Sequence, residues 1–303
     1  MTRRLAGLVA VAALLAAGCG GNDNGGAVGA VAPSRALAAP APAGALRAQV
    51  PPAIAATGVL RVGAAVGRAP LLFYGTGTHQ VEGLEYDLLQ GIGQQLGLRI
   101  QIANQPFPQL GTELLAHHSD VLMSGFADLK AFEGAGLDFV DYVSGRTAVL
   151  VRHADPHRAH APDGLCGMAV GVLTGSAQQV ASTTIADSCR GRGRPGPVVR
   201  AGPDDGALLS ALAAGHLDAV LEDAVVAQYT AQVSTGTTTL DVVGAAFDPI
   251  PYGIGVAKDD PQLRDAVQAA LRAMIADGTY DAVLAHWGGD QAALRTAEVN
   301  SGP

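Results

Sequence analysis

The feature that most constrains the fold is an alternation of strand-like and helix-like segments that begins at Val59 and persists to the C-terminal part of the chain. Leu60, Val62 and Ala64 alternate with polar or small residues, as a half-buried strand requires. Residues 85–96 then carry Leu88, Leu89, Ile92 and Leu96 at helical spacing, and Gly97 stands where a helix C-cap favours positive φ. Strand patterns follow at 99–103, 120–124, 147–151, 169–172, 198–200 and 219–221, with helical patterns at 110–116, 176–186, 207–214 and 224–232. Asp260 and Pro261 open a helix whose face is Leu263, Val267, Ala270, Leu271 and Met274. Residues 280–287 read as a short helix after it. Repeated β-α units imply an α/β protein with mostly parallel sheets flanked by helices.

The N-terminus supplies an address. Arg3 and Arg4 precede a short apolar run over 5–17, too short for the roughly 20 residues a membrane span needs, so it reads as an export signal. Cys19 follows Ala16, Ala17 and Gly18, which resembles a bacterial lipobox, with residues 1–18 as a lipoprotein signal peptide and Cys19 as the acylated residue. Residues 19–56 are rich in Gly, Ala and Pro and read as a tether. About 240 residues then remain, enough for one large domain or two lobes.

The whole chain has 19 Lys and Arg against 27 Asp and Glu, a net charge of −8; without Arg3 and Arg4 it is −10. An acidic balance argues against nucleic acid and against an anionic membrane face as partners. Cys166 and Cys189 form an even pair once Cys19 is set aside, and in an oxidising compartment a disulfide is the first reading. A zinc site is the rival, and it lacks two further ligands at suitable spacing, since His153, His157 and His160 lie upstream in a connector. No metal or other cofactor is expected.

Catalytic motifs are absent. Neither lysine, Lys130 or Lys258, stands in a phosphate-binding loop, and Gly191-Arg-Gly193-Arg-Pro-Gly196 contains a proline and opens no helix. The adjacent acids Glu222 and Asp223 point in different directions if both lie on a strand, so one of them at most is expected to face a shared site.

Four segments carry a resemblance: Gly58-Val-Leu-Arg-Val-Gly63; Val81-Glu-Gly-Leu-Glu-Tyr-Asp-Leu88; Ala213-Ala-Gly-His-Leu-Asp-Ala-Val220; and Pro251-Tyr-Gly-Ile-Gly-Val256, leading to Ala276-Asp-Gly-Thr-Tyr-Asp281 and Trp287. In this order the chain resembles the bacterial extracellular solute-binding proteins of family 3, the polar amino acid receptors of ABC importers. The Cys166 and Cys189 pair also looks like actinobacterial members. The resemblance implies a two-lobed, periplasmic-binding-protein-like type II clamp with two hinge strands, lobe one at 57–147 plus 252–298 and lobe two at 148–251. It implies a monomer, lipid-anchored on the extracytoplasmic face, that hands a small polar ligand to ABC permease subunits and touches the membrane only through its anchor.

Position by position, Asp223 matches the acid that receives an α-ammonium, with a helix N-cap as its alternative role. Gly175 and Ser176 match a Gly-Thr pair at a helix start, where backbone N–H groups suit a carboxylate. Phe107 stands where an aromatic flanks the pocket, and Ser124 and Gly125 match ligand-binding backbone. The family's carboxylate-clamping arginine is missing, with Lys130 in that region; Arg68 replaces an aromatic, Leu71 a phenylalanine and Ala65 an acid. Two arrangements fit this rewiring. Arg68, or failing it Lys130 or Arg146, supplies the cation from a new direction, or the ligand lacks a carboxylate or carries extra positive charge that meets Asp223 and Glu222. The alternatives to transport are a sensor or docking protein and a periplasmic dehydratase on the same scaffold, with Glu222 as its acid–base group.

Overall fold

The computed structural model describes residues 46–153, 162–236 and 239–303. The export signal 1–18, Cys19, the tether up to residue 45, His157 and His160 lie outside the described residues.

Order begins before the apolar pattern does. Val50 is buried, and α1 (Pro52–Thr57) starts on a proline at its first turn and stops at Gly58, whose φ is 66°. The Arg47 guanidinium ties this segment down by donating to the carbonyls of Gly97 and Ala55. The composition of 46–56 suggested a tether because it reports few large apolar side chains, not the one valine and one arginine that dock it.

One lobe is built on β1 (Val59–Ala64), the hairpin β2 (Phe73–Tyr74) and β3 (Val81–Glu82), α2 (Leu84–Leu96), β4 (Arg99–Asn104), α3 (Leu110–Leu115), β5 (Val121–Leu122) and α4 (Lys130–Gly134). A long strand, β6 (Leu137–Arg152), leads out of it. The second lobe holds β7 (Ala169–Leu173), α5 (Ala177–Gly191), β8 (Val198–Gly202), α6 (Asp205–Ala213), β9 (Ala219–Asp223) and α7 (Ala224–Val233). A second long strand, β10 (Leu240–Ala257), returns to the first lobe, which α8 (Pro261–Asp277) and α9 (Thr279–His286) complete.

The eight principal strands run in the order β4-β1-β5-β10-β6-β9-β7-β8. Pairing is parallel within each lobe, as the βα alternation implied, and antiparallel wherever β6 or β10 takes part. β6 and β10 pair along nearly their whole lengths, and the register breaks between Val243 and Phe247, Phe247 and Ile250, and Tyr252 and Gly253. Pro249 falls in the break between Phe247 and Ile250, where a missing N–H costs no ladder bond, whereas Pro251 stays in register opposite Ser144. The strand read at 147–151 thus belongs to one that starts ten residues earlier, at Leu137.

The first lobe's core joins Leu88, Leu89, Ile92 and Leu96 of α2 to Leu263, Val267, Leu271 and Met274 of α8 across Leu60 and Val62. The C-terminal segment docks beyond residue 298: Val299 bridges Val140, Asn300 accepts from the Phe139 N–H at 2.8 Å, and Gly302 donates to Asp128 at 2.7 Å. Cys166 and Cys189 form a disulfide that ties the start of the second lobe to the end of α5. No helix among the described residues is long and apolar enough to cross a membrane.

Candidate functional site

Where the lobes meet, a single buried arginine holds three carboxylates. Arg68 sits in the loop after β1 and is only 6% exposed. Its Nε donates to Asp205 Oδ2 at 2.8 Å, and its Nη2 to Glu222 Oε1 at 2.8 Å and Asp223 Oδ2 at 2.5 Å. Nη1 turns back to the first lobe and donates to the Ser124 carbonyl at 3.2 Å. The guanidinium carbon lies 5.5 Å from the centre of the Phe107 ring, within range for a cation–π contact.

The strand ends explain the convergence. β9 finishes at Glu222 and Asp223, and the following helix α7 starts on Asp223. Asp223 occupies the N-cap position, yet its side chain makes no capping bond and is spent on Arg68 and on Gln178 Nε2, 3.1 Å from its Oδ1. The expectation that neighbouring acids diverge is corrected here. Glu222 folds back so that its Oε1 accepts from the Asp223 N–H at 2.8 Å, and this longer side chain then reaches the same Nη2. Asp205 arrives from the first turn of α6, while Asp204 caps that helix by accepting from the Ala207 N–H at 2.8 Å.

Electrostatics follow from burial. Burial alone would pull the Arg68 pKa down, but Asp205, Asp223 and Glu222 outweigh it and hold the pKa well above the usual arginine value. Burial, reinforced by the charge of Asp205, pushes Glu222 well up against the pull of Arg68. Asp223 is also raised, by burial first, with Arg68 opposing. Three buried acids face one guanidinium, and their mutual repulsion adds to burial in holding Glu222 and Asp223 up. Asp205 Oδ1 has no hydrogen-bond partner among the described residues.

Behind Arg68 a second set of groups shapes the backbone. Glu85 of α2 is fully buried, and its Oε1 accepts from the Gly125 N–H at 2.6 Å and the Tyr142 hydroxyl at 2.5 Å. Burial pushes its carboxyl up to about 7 despite these two bonds. Gly125 has φ 58°, and a Cβ there would stand 2.7 Å from Arg68 Nη1, so glycine is required by both conformation and space. A cavity of about 550 Å³ opens beside the Arg68–Asp205 pair, between the 65–68 and 104–107 loops of the first lobe and Leu173 and residues 203–206 of the second.

Of the residues singled out from the sequence, Arg68, Phe107, Ser124, Gly125 and Asp223 come together at this junction. Leu71 is buried beside Gly125. The Gly125 N–H is engaged by Glu85 and Tyr142, and the Ser124 hydroxyl accepts from the Ala65 N–H at 3.1 Å. Ser176 caps α5 by accepting from Gln179 N, and Gly175 just before it is exposed. Lys130 does not join the cluster: it is exposed on α4, with Nζ on Glu133 Oε1 at 2.7 Å and on the Asn300 carbonyl at 3.0 Å. Arg146 is exposed on β6. His153 pairs with Asp241 at 2.9 Å, and no group of three or more metal-ligating side chains exists among the described residues.

Sequence reasoning missed Asp205, Gln178, Glu85 and Tyr142 as parts of the junction. Asp204-Asp205 reads as a capping acid followed by a first-turn acid, a pattern that accounts for both residues locally. Nothing in the spacing signals a partner 137 residues away.

Comparison with known proteins agrees with this architecture. The chain is 28% identical over 273 residues to the arginine-binding protein ArgT of Corynebacterium glutamicum, covering 87% of this chain and 85% of that one. An ancestral arginine-binding protein bound to arginine superposes with a TM-score of 0.68 at 27% identity, covering 76% of this chain and 98% of that one. An ancestral amino acid-binding protein described as a precursor of cyclohexadienyl dehydratase gives the same TM-score at 24% identity, covering 78% and 97%. The two solved structures share the two-lobed α/β clamp. The sequence profile of the bacterial extracellular solute-binding proteins, family 3, matches residues 60–290, and the chain belongs to that family.

Proposed function

We propose that this protein is the extracytoplasmic substrate-binding lipoprotein of an ABC importer, anchored through Cys19 after loss of residues 1–18. In this reading it closes on a small polar solute and delivers it to permease subunits. The observation that carries the reading is the facing of Arg68, Phe107 and Ser124 in one lobe with Asp205, Glu222 and Asp223 in the other. Binding in such a cleft couples to closure because each lobe contributes part of the contacts. We assign lobe one to 57–147 plus 252–298 and lobe two to 148–251, with the hinge at the register breaks of β10 and the facing stretch of β6.

The charge balance selects the solute. A carboxylate brought to this junction meets three acids whose only guanidinium is already engaged, whereas an ammonium or guanidinium meets acceptors, including an unpartnered oxygen of Asp205. We therefore assign a cationic amine or a basic amino-acid-like compound, with Asp223, Glu222 and Asp205 receiving the cation and Phe107 flanking it. The exposed position of Lys130 and the ion pair it makes with Glu133 argue against its serving as a carboxylate clamp. The relatives matched are named as binding proteins, and Glu222 is committed to Arg68 and to the Asp223 N–H, so binding is preferred to acid–base catalysis.

Thermal unfolding of the purified protein against arginine, lysine, ornithine, glutamine, glutamate, spermidine and glycine betaine tests this reading. A solute present at about 100 times its Kd adds about 2.7 kcal/mol, visible as a raised midpoint. Midpoints that rise for the cationic members support it. A response to glutamate alone, or to none of them, refutes it and favours a sensor or docking protein.

A further inference from the structure

We propose that Arg68 is a tethered occupant of the cation subsite, so that a solute's cation enters by exchange with the protein's own guanidinium. This deepens the solute-capture reading and rests on it for the identity of the site, though not for the behaviour of Arg68 itself. All three guanidinium nitrogens are engaged: Nε and Nη2 by the second lobe's acids, and Nη1 by a first-lobe carbonyl. The guanidinium carbon lies over the Phe107 ring. Planar donors, a fork of acceptors and an aromatic face are what a guanidinium ligand from solution would need.

The surroundings are shaped to this group. At Gly125 a Cβ would come 2.7 Å from Nη1, so the backbone passes as closely as a glycine permits. Asp205 reaches Nε from a helix that contributes nothing else to the cluster, and its second oxygen has no partner among the described residues. The cavity of about 550 Å³ is lined by both Arg68 and Asp205. It gives the side chain a place to withdraw to, or a solute's remaining atoms a place to lie, without leaving the junction.

Exchange has a chemical consequence for selectivity. A group tethered to the same fold competes at an effective concentration on the order of millimolar. A solute must therefore supply at least comparable donors. A guanidinium offers five N–H groups in a fork and a primary ammonium three, while a neutral amide offers no charge. Guanidinium-bearing solutes should rank above simple amines, and neutral or anionic compounds should not displace Arg68. Removing the tethered competitor should tighten cationic solutes by about tenfold or more, since the apparent Kd is the intrinsic Kd divided by the fraction of cleft that is competent.

The test uses the full chain, with Arg68→Gly compared with the wild type, and methylguanidinium chloride as the probe against tetramethylammonium chloride at equal ionic strength. The expected result is a saturable rise in the unfolding midpoint of Arg68→Gly with millimolar methylguanidinium, no rise with tetramethylammonium, and none in the wild type. Adding Asp205→Ala to Arg68→Gly should abolish most of the rise. A midpoint of Arg68→Gly that is indifferent to methylguanidinium overturns the proposal. Should Arg68→Gly fail to fold, solvent exchange of the Arg68 Nε–H in the wild type decides by NMR. Exchange should accelerate at least tenfold when a cationic solute from the unfolding screen binds; a solute that binds while this proton stays protected overturns the proposal by showing that Arg68 shares the site. Failure of the two readings is separable. Rescue by methylguanidinium with no solute bound by either protein leaves the Arg68 assignment standing and removes solute capture. Equal solute affinity in the wild type and Arg68→Gly does the reverse.

Discussion

The sharpest consequence of the buried acids is a pH dependence assigned to one residue, Glu85. Its carboxyl is moved from 4.5 to about 7, first by burial and further by the charge of Asp223, while the bonds from Tyr142 and Gly125 and the charge of Arg68 pull the other way. A folded-state pKa above the unfolded one means that the folded protein binds more protons across the window from 4.5 to about 7. The stabilisation is full below that window and is lost as the pH rises through it. A shift of about 2.5 units corresponds to about 3 kcal/mol. Glu85→Gln cannot titrate and keeps the oxygen that accepts from Gly125 and Tyr142. Its amide N–H groups meet no partner where Oε2 has none, which costs about 1–3 kcal/mol at every pH. Urea unfolding of both proteins from pH 4.5 to 8.5 measures the difference. The wild type should lose about 3 kcal/mol relative to Glu85→Gln over that range, and curves that stay parallel would refute the assignment. Asp141 is likewise raised to about 7, but its slope is present in both proteins and cancels.

Three further outcomes follow from particular contacts. Replacing Cys166 and Cys189 together by serine removes a cross-link over a sequence separation of 23 and should cost about 3 kcal/mol in urea unfolding, while reductant should lower the wild type by a similar amount. Gly302→Ala places a Cβ 1.9 Å from the Asp128 carbonyl oxygen, so the docked tail must lift; hydrogen exchange at the Gly302 N–H should rise without loss of the fold, and unchanged protection would contradict this account. Gly145→Ala sets a Cβ 2.2 Å from the Tyr252 ring where β6 meets β10, and a midpoint lowered by several degrees in thermal unfolding is expected there.

What could be read from the sequence was what is periodic and local. The helix opened by Asp260 and Pro261 runs as its pattern implies: Asp260 accepts from the Leu263 N–H at 3.1 Å, the five named apolar residues are buried, and Gly278 ends it at φ 82°. The full length of β6 was hidden because Asp138 and Asp141 interrupt its apolar run. Both acids are buried, answered by Arg264, Asn300 and Ser301 from more than a hundred residues away. Pro249 and Pro251 similarly masked the continuity of β10. At the junction, Asp223 and Phe107 stand at positions the resemblance marked, whereas Asp205 was not marked and its local pattern, a first-turn acid after a capping acid, points to no partner. Periodicity reports which face of an element is buried, not which element faces it.

The central claim, that the junction acids receive a solute's cation, is tested most directly by calorimetric titration of the strongest cationic solute into the wild type and into Asp223→Asn. Asn is nearly the same size as Asp and can still accept through its carbonyl, so the comparison isolates the charge. Losing a buried charge-assisted contact of about 3 kcal/mol should weaken the solute's hold by roughly a hundredfold, of which about tenfold is returned because Arg68 loses the same contact, so a net weakening of about tenfold is expected. Affinity within about threefold of the wild type would contradict the account and place the solute's cation elsewhere.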